Sequence, residues 1–89
     1  MPEQSSTIRN RRGLHARAAG KLVQTAARFQ SSVTLIAKGR EVNARSILGV
    51  MMLAAGLGTP VTLRADGSDA EAALEALIDL INRGFDEED

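Results

Sequence analysis

The sequence predicts an α+β fold, an open-faced β-sandwich in which a four-stranded antiparallel sheet carries three helices on one face, in the order βαββαβα. Three observations lead there. Short β-branched or alternating segments, such as residues 33–37 and 61–65, are interleaved with segments whose apolar residues recur at helical spacing. Only Lys38 and Gly39 separate the second and third strand segments, too few for anything but a hairpin. The first and last helical segments are apolar on one side, so they can cover one face of a sheet. At 89 residues the chain is expected to form a single domain over residues 1–89 with a small core.

The first strand is centred on Thr7, Ile8 and Arg9, with Ile8 as its apolar anchor, and Asn10 opens a loop. From Ala16 to about Phe29, Ala19, Leu22, Val23 and Ala26 share one face, while Arg17, Lys21, Gln24, Thr25 and Arg28 fall largely on the other. Ser31 and Ser32 interrupt this amphipathic helix. Residues 33–37 form the second strand and residues 40–43 the third, which is placed at the sheet edge because its charges discourage further pairing.

Ser46 is a good N-cap, and residues 47–55 continue as a short helix that Gly56 can end. This helix is apolar nearly all round. Two or three turns cannot bury every face, so Ile47, Leu48, Met51 and Met52 are expected to supply an exposed side suited to docking, and Val50, Leu53 and Ala54 the core. In the fourth strand Val61, Leu63 and Ala65 alternate inward. Ser68 and Glu71 fit a capping box for the last helix, whose buried stripe is Ala70, Ala73, Leu74, Leu77, Ile78 and Ile81. Gly84 provides its C-cap, and residues 86–89 are expected to fray as an acidic tail.

Composition narrows the chemistry. There is no cysteine and one histidine, so neither disulfides nor a structural zinc site is expected, and no cofactor is implied. The longest apolar run, residues 47–57, is broken by glycines and too short to span a bilayer, and the N-terminus lacks a signal-peptide pattern. A cytoplasmic monomer without membrane contact is the expectation. Net charge is zero, but residues 1–65 hold 10 Lys/Arg against 2 Asp/Glu, a net +8, and residues 66–89 hold 1 against 9, a net −8. A basic face that meets an acidic partner or a phosphate accounts for that distribution, as does plain solvation of two outer faces.

His15 sits where the first loop becomes a helix. The leading amides of a helix lack intrahelical acceptors and carry the positive end of its dipole, so an anion beside His15 would be stabilised. Ala16, Arg17 and Ala18 supply those amides, and Arg17 adds a full charge. An imidazole in such a place suits phosphoryl transfer, with a ring nitrogen as nucleophile and the amides holding the phosphate oxygens. A lone histidine at a helix start is also commonly without any chemical task.

Two motifs carry a resemblance that decides between these readings. Gly13-Leu14-His15-Ala16-Arg17 resembles the active-site motif of the HPr family, the histidine phosphocarriers of the bacterial phosphotransferase system, and residues 43–53, Asn-Ala-Arg-Ser-Ile-Leu-Gly-Val-Met-Met-Leu, resemble its second motif. The likeness runs from about Thr7 to about Phe85, and the ending from Asn82 is similar to the nitrogen-related NPr branch. In place of the proline that usually follows the arginine, this chain has Ala18.

The resemblance implies that His15 accepts a phosphoryl group at Nδ1 from phospho-Enzyme I and passes it to an EIIA-type protein, with Arg17 stabilising the phosphate. It further implies that Ser46 is a regulatory site for an HPr kinase/phosphorylase, and that the region around Leu48, Met51 and Met52 docks partners. The chain is then a phosphoryl carrier within a phosphotransferase chain rather than an independent turnover enzyme. One alternative is a regulator on the same scaffold that binds partners without turning over phosphate; retention of His15 and Arg17 weighs against a lost active site and leaves regulatory binding open. A nucleic-acid-binding module, suggested by the basic first part, fits poorly because only Phe29 and Phe85 are aromatic and no GXXG spacing occurs.

Overall fold

The computed structural model describes residues 1–87 and has the expected order: β1 (Glu3–Thr7), α1 (Ala16–Ala26), β2 (Ser32–Ala37), β3 (Arg40–Asn43), α2 (Ile47–Met52), β4 (Pro60–Asp66) and α3 (Ala70–Asn82). A short 3₁₀ turn follows at Gly84–Asp86. All strand pairs are antiparallel and the sheet order is β1-β4-β2-β3, so the polar hairpin arm β3 lies at one edge and β1 at the other. Val33, Leu35, Ala37, Val61, Leu63 and Ala65 point to one face and are buried, which is the alternation read from the sequence. Against that face lie the buried stripes of α1 (Ala18, Ala19, Leu22, Ala26) and α3 (Ala70, Ala73, Leu74, Leu77, Leu80, Ile81).

Several local expectations need correction. The first strand ends at Thr7, and Ile8 lies just beyond it, wholly buried and bonded through its N–H to the Thr59 carbonyl. α2 stops at Met52 rather than near Ala55, because the left-handed residue that ends it is Ala54 (φ 51°), not Gly56. Ala54 is accordingly exposed and adds nothing to the core, whereas Ala55 is buried. Ser68 does not cap α3. Asp69 holds the N-cap position, and its carboxylate instead accepts the Gln30 N–H, the Ser31 N–H and the Ser31 hydroxyl, tying the start of α3 to the turn after α1. These bonds, the Ser31 hydroxyl first, hold the Asp69 carboxyl below its ordinary value.

The expected acidic tail is not frayed at its start; residues 88 and 89 lie outside the described residues. Gly84 leaves α3 in the left-handed conformation (φ 65°), with Phe85 (φ 57°) and Asp86 (φ 60°) following in kind. Two non-glycine residues in that region cost about 1 kcal/mol each, and burying an aromatic side chain returns about 3 kcal/mol. Phe85 is fully buried, and Lys21 Nζ donates to its carbonyl at 2.7 Å. The chain therefore turns back toward α1 instead of running on into solvent.

Candidate functional site

The loop before α1 is built to hold His15 still. Asn10 is buried, its carbonyl accepts the Gly13 N–H at 3.2 Å, and its Nδ2 donates to the Gly13 carbonyl at 2.8 Å. Gly13 has φ 67°, and a Cβ there would stand 2.5 Å from the Ala55 carbonyl oxygen, so only glycine lets the loop lie against the segment after α2. The next N–H, of Leu14, donates to that same Ala55 oxygen at 2.9 Å, and the Leu14 side chain is buried. His15 follows as the N-cap of α1 in an extended conformation, its carbonyl accepting the first helical bond from the Ala19 N–H.

The two ring nitrogens of His15 have different surroundings. Nδ1 accepts the Arg17 N–H at 3.3 Å, and Nε2 is paired with the Glu87 carboxylate. An amide can only donate, so Nδ1 is the acceptor in its bond with Arg17, and Nε2 faces the carboxylate of Glu87. Glu87 is fixed in turn by Asn10 Nδ2, which donates to Oε1 at 2.9 Å. Its carboxyl is held below the ordinary range, first by the Asn10 hydrogen bond, then by the bond and charge of His15 and the charge of Arg12, against an opposing push from burial. The His15 and Glu87 side chains keep only 17% and 14% of their exposure, so this pair is less screened than a surface ion pair.

Ala16 and Arg17 are exposed at the head of α1, while the Ala18 side chain is wholly buried, so Ala18 can offer an anion only its backbone N–H. The comparisons with known proteins bear on what such a site carries. A family model described as the PTS HPr component phosphorylation site matches residues 2–83. The chain is 53% identical over 88 residues to the phosphocarrier protein HPr of Xylella fastidiosa strain Temecula1, covering 99% of each. It is 44% identical over 85 residues to the phosphocarrier protein NPr of Shewanella violacea, covering 96% of this chain and 93% of that one.

The chain belongs to the HPr family. It is a phosphocarrier of the HPr and NPr kind, of the phosphotransferase system. Its fold agrees closely with the crystal structure of HPr-C-His from Thermoanaerobacter tengcongensis, at a TM-score of 0.94 and 45% identity, covering 99% of both chains.

The second motif of this HPr-family chain meets the first in space. Ser46 caps α2, its Oγ accepting the Gly49 N–H at 3.1 Å and its carbonyl the Val50 N–H at 2.9 Å. Ser46 is exposed, and beside it Leu48 and Met52 are 71% and 69% exposed while Ile47 and Met51 are about half as open, which sets Leu48 and Met52 at the front of the patch. Val50 and Leu53 are buried beneath. The Ile47 Cδ1 reaches within 3.8 Å of where a Cβ on Gly20 would stand, so the apolar patch rests directly on α1, and the Leu14–Ala55 bond joins the two loops. Neither aromatic ring offers a stacking face, since Phe85 is buried and Phe29 is packed against the core.

Sequence reasoning missed three contributors. Leu57, 61% exposed, adds to the apolar surface beyond α2. Asn10, read as a loop opener, is the buried hub of the His15 loop. Glu87 was assigned to a fraying tail; its only sequence signal is its place two residues beyond Phe85, a large apolar side chain that must find the core.

Proposed function

We propose that His15 is the carrier residue and Nδ1 its reacting atom. The nitrogen lone pair attacks the phosphorus of phospho-Enzyme I, the N–P bond to His15 forms, and the bond to the donor breaks with its electron pair leaving on the donor. An acidic EIIA-type protein then takes the group by the reverse process, and the pair returns to Nδ1. The supporting observation is the Arg17 amide on Nδ1, which turns that nitrogen toward the leading amides of α1. The backbone amides of Ala16, Arg17 and Ala18 and the Arg17 guanidinium receive the phosphoryl oxygens.

The exposed face of Ile47, Leu48, Met51 and Met52, beside this site, is the docking surface for Enzyme I and EIIA-type proteins, with the basic residues Arg11, Arg12 and Arg17 drawing in acidic partners. Ser46, exposed at the edge of the same face, is the site at which an HPr kinase/phosphorylase would regulate docking. The test is incubation with Enzyme I and radiolabelled phosphoenolpyruvate, with and without each EIIA-type candidate. The protein is expected to take label that is acid-labile and base-stable, to lose it to the matching acceptor, and to take none as His15→Ala. Label on the alanine variant would overturn the assignment.

A further inference from the structure

The ring nitrogen opposite Nδ1 is met by a carboxylate from the far end of the chain. Glu87 and His15 are 72 positions apart in sequence. Four features bring them together: the left-handed turn at Gly84, the buried Phe85 ring, the Lys21 bond to the Phe85 carbonyl, and the Glu87 N–H donated to the Gly84 carbonyl at 3.1 Å. Gly84 stands against Asn10, a Cβ on it reaching within 3.7 Å of the Asn10 Cβ. Asn10 then spends its Nδ2 on both Gly13 and Glu87. One buried side chain thus sets both the loop that carries His15 and the carboxylate that meets its ring. The buried Asn10 Oδ1 has no hydrogen-bond partner among the described residues, an unfavourable arrangement by itself, so this side chain is oriented for what its Nδ2 holds.

We propose that Glu87 is a positioning residue for phosphoryl transfer, holding the His15 ring as the Nε2–H tautomer so that the Nδ1 lone pair faces the incoming phosphorus. The inference rests on His15 being the phosphoryl acceptor. During transfer the N–P bond forms at Nδ1 while the proton stays on Nε2, leaving a cationic ring beside the Glu87 carboxylate. When the group departs, the electron pair returns to Nδ1, and no proton has to be exchanged with solvent at any point. Besides His15, the charge that acts on Glu87 is the cationic Arg12 of the loop. Among the described residues Glu87 is the carboxylate partner of the ring, and it favours the positive charge that the ring gains during transfer.

The test compares wild type, Glu87→Ala and Glu87→Gln by two readouts, with thermal melting as the folding control. Long-range proton–nitrogen correlation of the imidazole reports the tautomer. Wild type is expected to be the Nε2–H form, and both variants to show a growing Nδ1–H population and a mobile ring. Steady-state transfer from phospho-Enzyme I is expected to lose about tenfold in kcat with KM for Enzyme I unchanged, the size of one lost charge-assisted hydrogen bond. A carboxylate that merely tacked down the chain end would move the melting temperature and neither readout.

An unchanged tautomer and an unchanged kcat in both variants overturn the Glu87 proposal while leaving His15 as the carrier. Label on His15→Ala overturns the carrier reading itself. The two failures are thereby separate.

Discussion

Two helix starts, those of α1 and α2, share one side of the molecule and are built on the same rule, yet they differ in almost everything around them. Each is capped by its own side chain: His15 Nδ1 accepts an N–H two residues on, Ser46 Oγ an N–H three residues on. At α1 the cap is half-buried and gripped from both sides, by the Arg17 amide and by Glu87, with a buried asparagine behind it. At α2 the cap is open to solvent and its neighbours are exposed apolar side chains. Capping supplies the geometry, and the surroundings decide the task. A held imidazole suits covalent chemistry, and an open hydroxyl beside an apolar patch suits control of docking.

The strongest way to break that comparison is to place charge at the open site. Ser46→Asp keeps an acceptor at the N-cap and puts a negative charge beside the patch, so it is expected to slow phosphorylation of His15 by about tenfold, repelling an acidic partner, while melting no earlier than Ser46→Ala. Loss of the cap in the alanine variant costs about 1 kcal/mol. Stopped-flow transfer and calorimetry check both; equal rates for the two variants would reduce Ser46 to a cap. Leu48→Glu should weaken binding of Enzyme I and of the EIIA-type acceptor by roughly tenfold with little change in melting, because a charge at an exposed apolar position disrupts interface and not core. Unfolding of that variant would show Leu48 to be structural.

The third helix start sharpens the contrast, since its N-cap carboxylate is taken up by the turn after α1. The Asp69 carboxyl is held low in the folded chain, so the stability it contributes is fully present above its ordinary value near 3.8 and is lost as pH falls through the depressed folded value. Asp69→Asn should therefore melt several degrees lower at neutral pH, and the gap to wild type should close in strong acid. A gap that persists unchanged to low pH would mean that the bonds to the turn after α1 do not depend on the charge. The smallest expected effect is at the far end of α2. Ala54 is exposed with φ 51°, so Ala54→Gly relieves a left-handed alanine and should raise stability by about 0.5–1 kcal/mol, read as a rise of a few degrees in melting temperature.

What was legible in the sequence was what local pattern dictates. Ser46 caps α2, residues 40–43 make the edge arm, and the period-two residues of β2 and β4 enter the core, because propensity, alternation and turn chemistry agree there. What was not legible depends on distant partners. Ser68 and Glu71 have the residue types of a capping box, but Asp69 takes the cap position because its carboxylate finds three donors at Gln30 and Ser31. Gly56 has the residue type to end α2, but Ala54 does so, its carbonyl also taking the Lys38 ammonium at 2.7 Å. The Glu87 contact with His15 needs Phe85 to be pulled inward first, which no nearby pattern announces. The candidate site was therefore half readable, with its histidine and amides marked by a helix start and its carboxylate hidden in an acidic ending.

The most direct measurement is to phosphorylate ring-labelled protein with Enzyme I and phosphoenolpyruvate and to locate the phosphate by phosphorus–nitrogen coupling in the His15 imidazole. The account predicts a single species, with phosphorus bonded to Nδ1 and a proton retained on Nε2. Phosphate on Nε2, or on any residue other than His15, would contradict it.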